Sequence, residues 1–305
     1  MTPQFPEFKP IELEDRKVLE PVFRNYQPQT SEWTFTNFFI WRNHYHFQWT
    51  RYGELLLFLS NPLDQETYFL MPLGQAPRIE AAKAMLEWLA REGKATAPSI
   101  QKADARFAGE VRADGSLQVV PQRDHFDYVY ASSDLISLAG RKFHSKKNFL
   151  NRFEKQHPNM QFLPLAEDLI PECIRVLDRW CLNRDCERNP VLQAEVDAVR
   201  QAFIHFDSLD LAGGTILIDG QVEAFTLSGR LNAETAVIHI EKADPDIHGL
   251  FAVINQRFVR EQWASVPWIN REQDLGEENL RKAKLSYKPA RLVEKFKILA
   301  RTPWT

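Results

Sequence analysis

"GGTILIDGQVEAFTLSGRL", residues 213–231, decides how this chain folds. Two apolar runs flank Asp219-Gly220, a dipeptide that takes up the positive-φ conformation of a two-residue hairpin, so the stretch reads as two antiparallel strands. Downstream, "TAVIHIEKA" (235–243) has the β-branched content of a third strand and "LFAVINQRFVREQW" (250–263) the apolar spacing of a helix. A short strand, "VPWIN" (266–270), leads into a charged helical segment, "REQDLGEENLRKAKLSYKP" (271–289), and "RLVEKFKIL" (291–299) reads as one last strand. Upstream lie a basic helix (140–155) and helices over 169–185 and 189–206. Helices, a hairpin, then strand and helix in alternation suit one mixed-sheet α/β unit.

The remainder is long enough for a second unit. At 305 residues the chain can bury two cores, and a boundary near residue 126 gives domains of 1–126 and 127–305. The first half opens on a helix (11–26) and an aromatic stretch, "SEWTFTNFFIWRNHYHFQWT" (31–50), whose Trp33, Phe35, Phe38, Phe39 and Trp41 are expected in its core. Strands over 51–60 and 66–74 and a helix stopped by Gly93 follow. A net charge of −3 gives no global basic field, so any polyanion site must be local. Three cysteines, Cys173, Cys181 and Cys186, are odd in number and lack CxxC spacing, which argues against a disulfide framework or a metal site. The longest apolar run, "FTNFFIW", is far short of the roughly 20 residues that span a bilayer. A cytoplasmic protein, at most peripheral to a membrane, is the expectation.

Three stretches carry a family resemblance. "YVYASSDLISLAGRKFHSKKNFLNRFEKQHP" (128–158), the hairpin, and "DLGEENLRKAKLSYKP" (274–289) resemble the Fem-type peptidoglycan-bridge aminoacyltransferases and the soluble domain of phosphatidylglycerol lysyltransferases. The resemblance implies an α+β (mixed α/β) fold of two tandem GNAT-like domains, each a mostly antiparallel mixed sheet flanked by helices. It implies transfer of an aminoacyl group from aminoacyl-tRNA to an amine or hydroxyl, with no permanently bound cofactor and no metal. A phospholipid or a peptide is the acceptor class it suggests, and acetyl-CoA or another acyl-CoA is the alternative donor. The glycine-rich loop with which N-acetyltransferases cradle CoA pyrophosphate is absent; its place reads "ADPDIHGLF" (243–251), where Asp244 and Asp246 would repel phosphate. A non-catalytic module binding tRNA, lipid head groups or a protein is a further reading.

The candidate site follows from charge placement. In the basic helix, Arg141, Lys142, Lys146, Lys147 and Arg152, with Asn148, are candidate contacts to a polyanionic donor, a tRNA acceptor end or CoA. Helical geometry puts Lys142 and Lys146 on the apolar side, where a solvated helix does not need them. On 235–243, alternation places Val237, His239 and Glu241 on one face, and His239 or Glu241 is a candidate base for the acceptor's proton. For His239 alone, a satisfied core histidine is the more ordinary reading. Lys284 borders a stripe of Leu280, Ala283 and Tyr287 and falls on the Fem-type lysine position; it is the candidate for stabilising an oxyanion or a donor phosphate. Glu272 and Asp274 are candidate partners for a substrate amine, and Arg271 and Arg281 candidate substrate contacts.

Overall fold

Caps and turn residues mark off the elements of the structure, a computed structural model that describes residues 2–301 apart from Asp64 and Asp185, with Glu187 described by its backbone only. The first stretch runs β1 (Lys9–Pro10), α1 (Arg16–Tyr26), α2 (Phe35–Ile40), α3 (Arg42–Tyr45), β2 (Gln48–Tyr52), β3 (Leu55–Ser60), β4 (Tyr68–Leu70), α4 (Ile79–Arg91), β5 (Ser99–Ala103), α5 (Ala105–Asp114) and β6 (Leu117–Pro121). Thr34 caps α2 by accepting from the Asn37 amide, and Asp104 caps α5 by accepting from Phe107. The second stretch runs β7 (Asp127–Ala131), α6 (Ser132–Ser137), α7 (His144–Gln156), β8 (Gln161–Pro164), α8 (Ile170–Leu182), α9 (Pro190–Ile204), β9 (Ala212–Ile218), β10 (Gln221–Arg230), β11 (Thr235–Ala243), α10 (Leu250–Gln262), β12 (Trp268–Asn270), α11 (Glu278–Ser286) and β13 (Arg291–Val293). A final strand, β14 (Phe296–Ala300), completes the chain's elements.

Two seven-stranded sheets result. One has the order β1-β2-β3-β4-β5-β14-β6, the other β13-β7-β12-β11-β10-β9-β8. The chain divides into two compact units: residues 2–127, 273–276 and 293–301 make the first, and residues 128–272 and 277–292 the second. The last strand therefore departs from expectation. "RLVEKFKIL" is two strands, β13 at the edge of the second sheet and β14 inside the first, where Ile298 faces Ile100 of β5 and Val119 of β6. Strand-forming residues lie on both sides of Glu294-Lys295, and only the sheet partners distinguish the two destinations.

In the first unit the aromatic stretch packs as expected, with Trp33, Phe35, Phe38 and Phe39 all buried and Trp41 only partly so. The unit also buries charge. Lys295, one residue before β14, is fully inaccessible and donates to Asp127 and to Glu32, each at 2.7 Å, and to the Gln273 side-chain oxygen Oε1 at 3.2 Å. Asp127 accepts as well from the Ser31 amide at 2.7 Å and its hydroxyl at 3.0 Å.

In the second unit the hairpin forms as read, with Asp219 and Gly220 both at positive φ and β9 antiparallel to β10. The glycine pair that opens it is a packing requirement. A Cβ on Gly214 would stand 2.7 Å from a Phe258 ring carbon and 2.8 Å from the Phe162 ring, closer than carbon atoms approach. Gly214→Ala is expected to destabilise the second unit by about 1–3 kcal/mol, read by urea denaturation, because two rings must leave their positions. A variant as stable as the parent would mean that the rings yield freely.

Candidate active site

The site grows from the place where two parallel strands part. β11 and β12 pair at Thr235–Trp268, Ala236–Ile269 and Val237–Asn270 and no further. β12 then keeps company with its other neighbour: the Arg271 amide donates to the Tyr128 carbonyl at 2.9 Å, and the Tyr128 amide to the Glu272 carbonyl at 3.2 Å. β11 continues to Ala243. The fully buried Asn270 turns the chain here, its side-chain oxygen accepting from the Glu272 amide at 2.7 Å, and Glu272 sits at φ 56°, a conformation that a non-glycine residue adopts only under constraint.

A bulge re-aims β11. Leu227 of β10 faces Ile240 and Ser228 faces Ile238, which leaves His239 with no opposite residue. The simple alternation expected for this strand is thereby interrupted. Ala236, Ile238 and Ala243 join the core cluster with α10, and Glu241 also reaches α10, where it accepts from Asn255 Nδ2 at 2.9 Å.

Two side-chain pairs bridge the parted strands. His239 Nδ1 lies 3.1 Å from Glu272 Oε1, and Arg271 donates to Glu241 Oε1 at 2.8 Å. A carboxylate can only accept, so Nδ1 carries a proton, and in the neutral imidazole the Nε2 lone pair is then left open. That nitrogen is buried and makes no hydrogen bond; the His239 side chain is 1% exposed. It is also close to the Gly229 backbone, where a Cβ would stand 3.3 Å away. Glu241 has an oxygen on each of two donors, Arg271 and Asn255, which holds it as a fixed anion.

Arg271 is the hub. Burial works against its charge, but the Glu241 carboxylate and the Tyr130 and Tyr287 hydroxyls override this and raise its pKa. Its guanidinium carbon lies 5.0 Å from the Tyr287 ring centre and 5.8 Å from that of Tyr130. Burial pushes the Tyr287 hydroxyl up to about 12 and raises that of Tyr130 as well, so both are neutral donors at physiological pH. Tyr130 donates to the Lys284 carbonyl at 2.8 Å.

Lys284 is brought to the cluster, but its ammonium is engaged with backbone: it donates to the Arg271 carbonyl and, at 3.1 Å, to that of Glu272. This shapes the strand exit rather than presenting an open cation. The stripe expected on α11 is reduced to one residue, for Tyr287 is buried while Leu280 is 42% exposed and Ala283 exposed. Arg281 is partly exposed on the same helix. Asp274 parts from Glu272: it belongs to the first unit, is fully buried, and accepts from the Gly276 amide at 2.9 Å with Arg123 at 3.5 Å. A buried turn-forming carboxylate is not placed to receive a substrate amine.

The basic segment sorts into two groups. Arg141, Lys147, Asn148 and Arg152 are exposed, with Asn148 3.1 Å from His144 Nε2, and Lys142 pairs with Asp134 at 2.8 Å. Lys146 alone turns inward, its ammonium 4.2 Å from the Tyr287 ring centre. Asn255, Tyr130 and Tyr287 are the members that sequence reasoning missed as site residues. Asn255 left a signal, an amide on the apolar face of "LFAVINQRF".

Elsewhere in this unit a groove of about 510 Å³ is lined by Met160, Phe162, Pro164 and Arg257 among others, none of them in the polar cluster. Among the described residues no helix is long and apolar enough to cross a membrane, and no group of three or more His, Cys, Asp or Glu could hold a metal.

Comparison with known proteins identifies the fold and the family. A solved protein of unknown function from Bacteroides thetaiotaomicron is 31% identical, with a TM-score of 0.89 over 96% of this chain and 99% of that one. L-PGS from Bacillus licheniformis is 14% identical with a TM-score of 0.64, covering 95% of this chain and 93% of that one. A tandem GNAT protein from the clavulanic acid biosynthesis pathway, 12% identical, superposes with a TM-score of 0.51 over 98% of this chain and 99% of that one. The last two likenesses concern the fold alone: an α+β chain of two tandem GNAT-like domains. An uncharacterized protein of Mycoplasmoides gallisepticum is 25% identical over 174 residues, which span 56% of this chain and only 54% of that protein. The profile described as phosphatidylglycerol lysyltransferase, C-terminal, matches residues 23–299. The chain belongs to the family of that C-terminal domain.

Proposed function

We propose that this protein is an aminoacyltransferase that moves an aminoacyl group from tRNA to an amine or hydroxyl acceptor. One observation carries the reading. A histidine held through Nδ1 by Glu272, where two parallel strands of a GNAT-like sheet part, has a buried, unpartnered Nε2 beside Gly229 of β10. Such a nitrogen is suited to take a proton from an attacking nucleophile.

The step needs no covalent enzyme intermediate. The acceptor nitrogen or oxygen attacks the ester carbonyl carbon, the bond from that carbon to the ribose oxygen breaks, and the acceptor's proton passes through His239 to the departing oxygen. Glu272 orients the imidazole. Arg271 and Asn255 fix Glu241, whose negative charge supports the imidazolium that forms in transit. Lys284 is a positioning residue here, holding the carbonyls of Arg271 and Glu272. The exposed Arg141, Lys147 and Arg152, with Asn148, supply the path for the polyanionic donor.

Acyl-CoA is the less favoured donor. In the loop before α10, Asp244 already accepts from the Asp246 amide at 2.9 Å and pairs with Arg179 at 2.9 Å, so a carboxylate occupies the amide that a pyrophosphate would need. The family's name supplies lysyl as the group and phosphatidylglycerol as the acceptor to try first, with an amino-terminal peptide second. The deciding assay offers radiolabelled lysyl-tRNA and labelled acetyl-CoA in parallel to both acceptors. Label moving only from the tRNA is the expected result. Acetyl transfer alone would replace the donor, and salt-sensitive tRNA binding without any turnover would make the protein a binding module.

A further inference from the structure

The polar cluster carries more positive charge than negative. Lys146, Arg271 and Lys284 stand against Glu241 and Glu272, three cations to two carboxylates. The surplus has a location. Among the described residues Lys146 has no carboxylate partner, and one Arg271 terminal nitrogen, Nη1, is buried with no hydrogen bond. Both groups lie against the same ring, the Lys146 ammonium 4.2 Å and the Arg271 guanidinium carbon 5.0 Å from the centre of Tyr287. Burial, and then the charge of Arg271, lower the Lys146 pKa, so the two cations are within electrostatic reach, and among the described residues Glu241 pairs with Arg271 alone. Leaving a buried guanidinium N–H unpaired is costly, and natural structures seldom do so without a ligand, water or ion to accept from it.

We propose that Lys146 and Arg271, meeting at Tyr287, form a subsite for one phosphodiester group of a substrate. The single surplus charge matches the single negative charge of a diester. The planar Arg271 fork has one arm committed to Glu241, while the other, buried beside Tyr287, makes no hydrogen bond and has a donor to give an anionic oxygen. Lys146 differs in this from the rest of the basic segment, whose cations are exposed or, like Lys142 just before α7, already paired. Which substrate owns the diester rests on the transfer reading: the donor contributes the phosphodiesters of the tRNA acceptor end, and a phospholipid acceptor contributes its headgroup. Binding of the diester does not depend on that reading.

The test uses the whole protein with its lysines reductively methylated by labelled formaldehyde, and follows each amine by NMR as pH is varied. The titration is repeated with inorganic phosphate, with a CCA trinucleotide and with glycerophosphoglycerol. The expected result is that one of the two diesters returns Lys146 towards the ordinary lysine range, and that Lys146→Gln weakens that ligand at least tenfold. Lys282→Gln, which removes an exposed charge from α11, leaves the affinity unchanged. Response to the trinucleotide assigns the subsite to the donor, and response to glycerophosphoglycerol assigns it to the acceptor. Lys146 unmoved by either diester, or moved by inorganic phosphate only, overturns the proposal. Equal losses in Lys146→Gln and Lys282→Gln overturn it too, since they would mean diffuse attraction. Every outcome is read without transferase activity, so a protein that binds a diester but transfers nothing keeps this subsite and loses the proposed reaction.

Discussion

Lys295→Met is expected to destabilise the first unit by about 3–5 kcal/mol, the usual consequence of removing one partner from a buried ion cluster. Lys295 and Asp127 are both inaccessible to solvent, and Glu32 is nearly so at 11% side-chain exposure. Methionine fills the volume but leaves two carboxylates facing each other with no cation between them. The ammonium also joins distant parts of the sequence, contacting residues 32, 127 and 273 immediately before β14 enters the sheet. Urea denaturation gives the stability change, and a second readout comes from His125. Burial, then Lys102 and Lys295, hold its pKa down at about 4, so loss of Lys295 should let it rise. The double variant Lys295→Met, Asp127→Asn should regain part of the loss by removing one stranded charge. A Lys295→Met protein as stable as its parent would mean that the cluster does not hold its charges as drawn.

Much of this fold was legible because local rules agreed with the global one. Asp219-Gly220 could only turn a hairpin, and the strand–helix–strand run after it could only cross over to a parallel neighbour. What escaped reading depended on partners far away in sequence. "RLVEKFKIL" has apolar residues along its whole length, yet its halves join different sheets, and nothing in nine residues records which strands wait on either side. The face of Glu241 was hidden for a similar reason: the extra residue at His239 exists only relative to β10. The helical period did place Lys146 on the inner side of its helix, and the structure has it there against Tyr287. It could not show that Lys284 would be engaged by two carbonyls, because backbone acceptors leave no trace in side-chain chemistry. Asp274 was grouped with Glu272 by adjacency, although the chain passes into the first unit between them.

The second large effect concerns turnover. His239→Gln is expected to lower kcat by about 10²–10⁴-fold, the range that a positioned general base contributes, with KM little changed. Glutamine keeps a hydrogen bond to Glu272 within reach but cannot accept and release a proton. The two variants of Glu272 separate positioning from simple packing. Glu272→Gln still offers an oxygen to the His239 Nδ1–H and should retain much more activity than Glu272→Ala, which lets the imidazole rotate and lose its tautomer. The ordinary alternative, a histidine that only fills the bulge, predicts a different pattern: all three variants lose stability in denaturation while the folded fraction turns over at the parental rate. Folded His239→Gln protein with near-parental kcat would remove the base from the mechanism. Loss of kcat in a protein that melts like the parent, with recovery in Glu272→Gln over Glu272→Ala, is what a base held in place by a carboxylate requires.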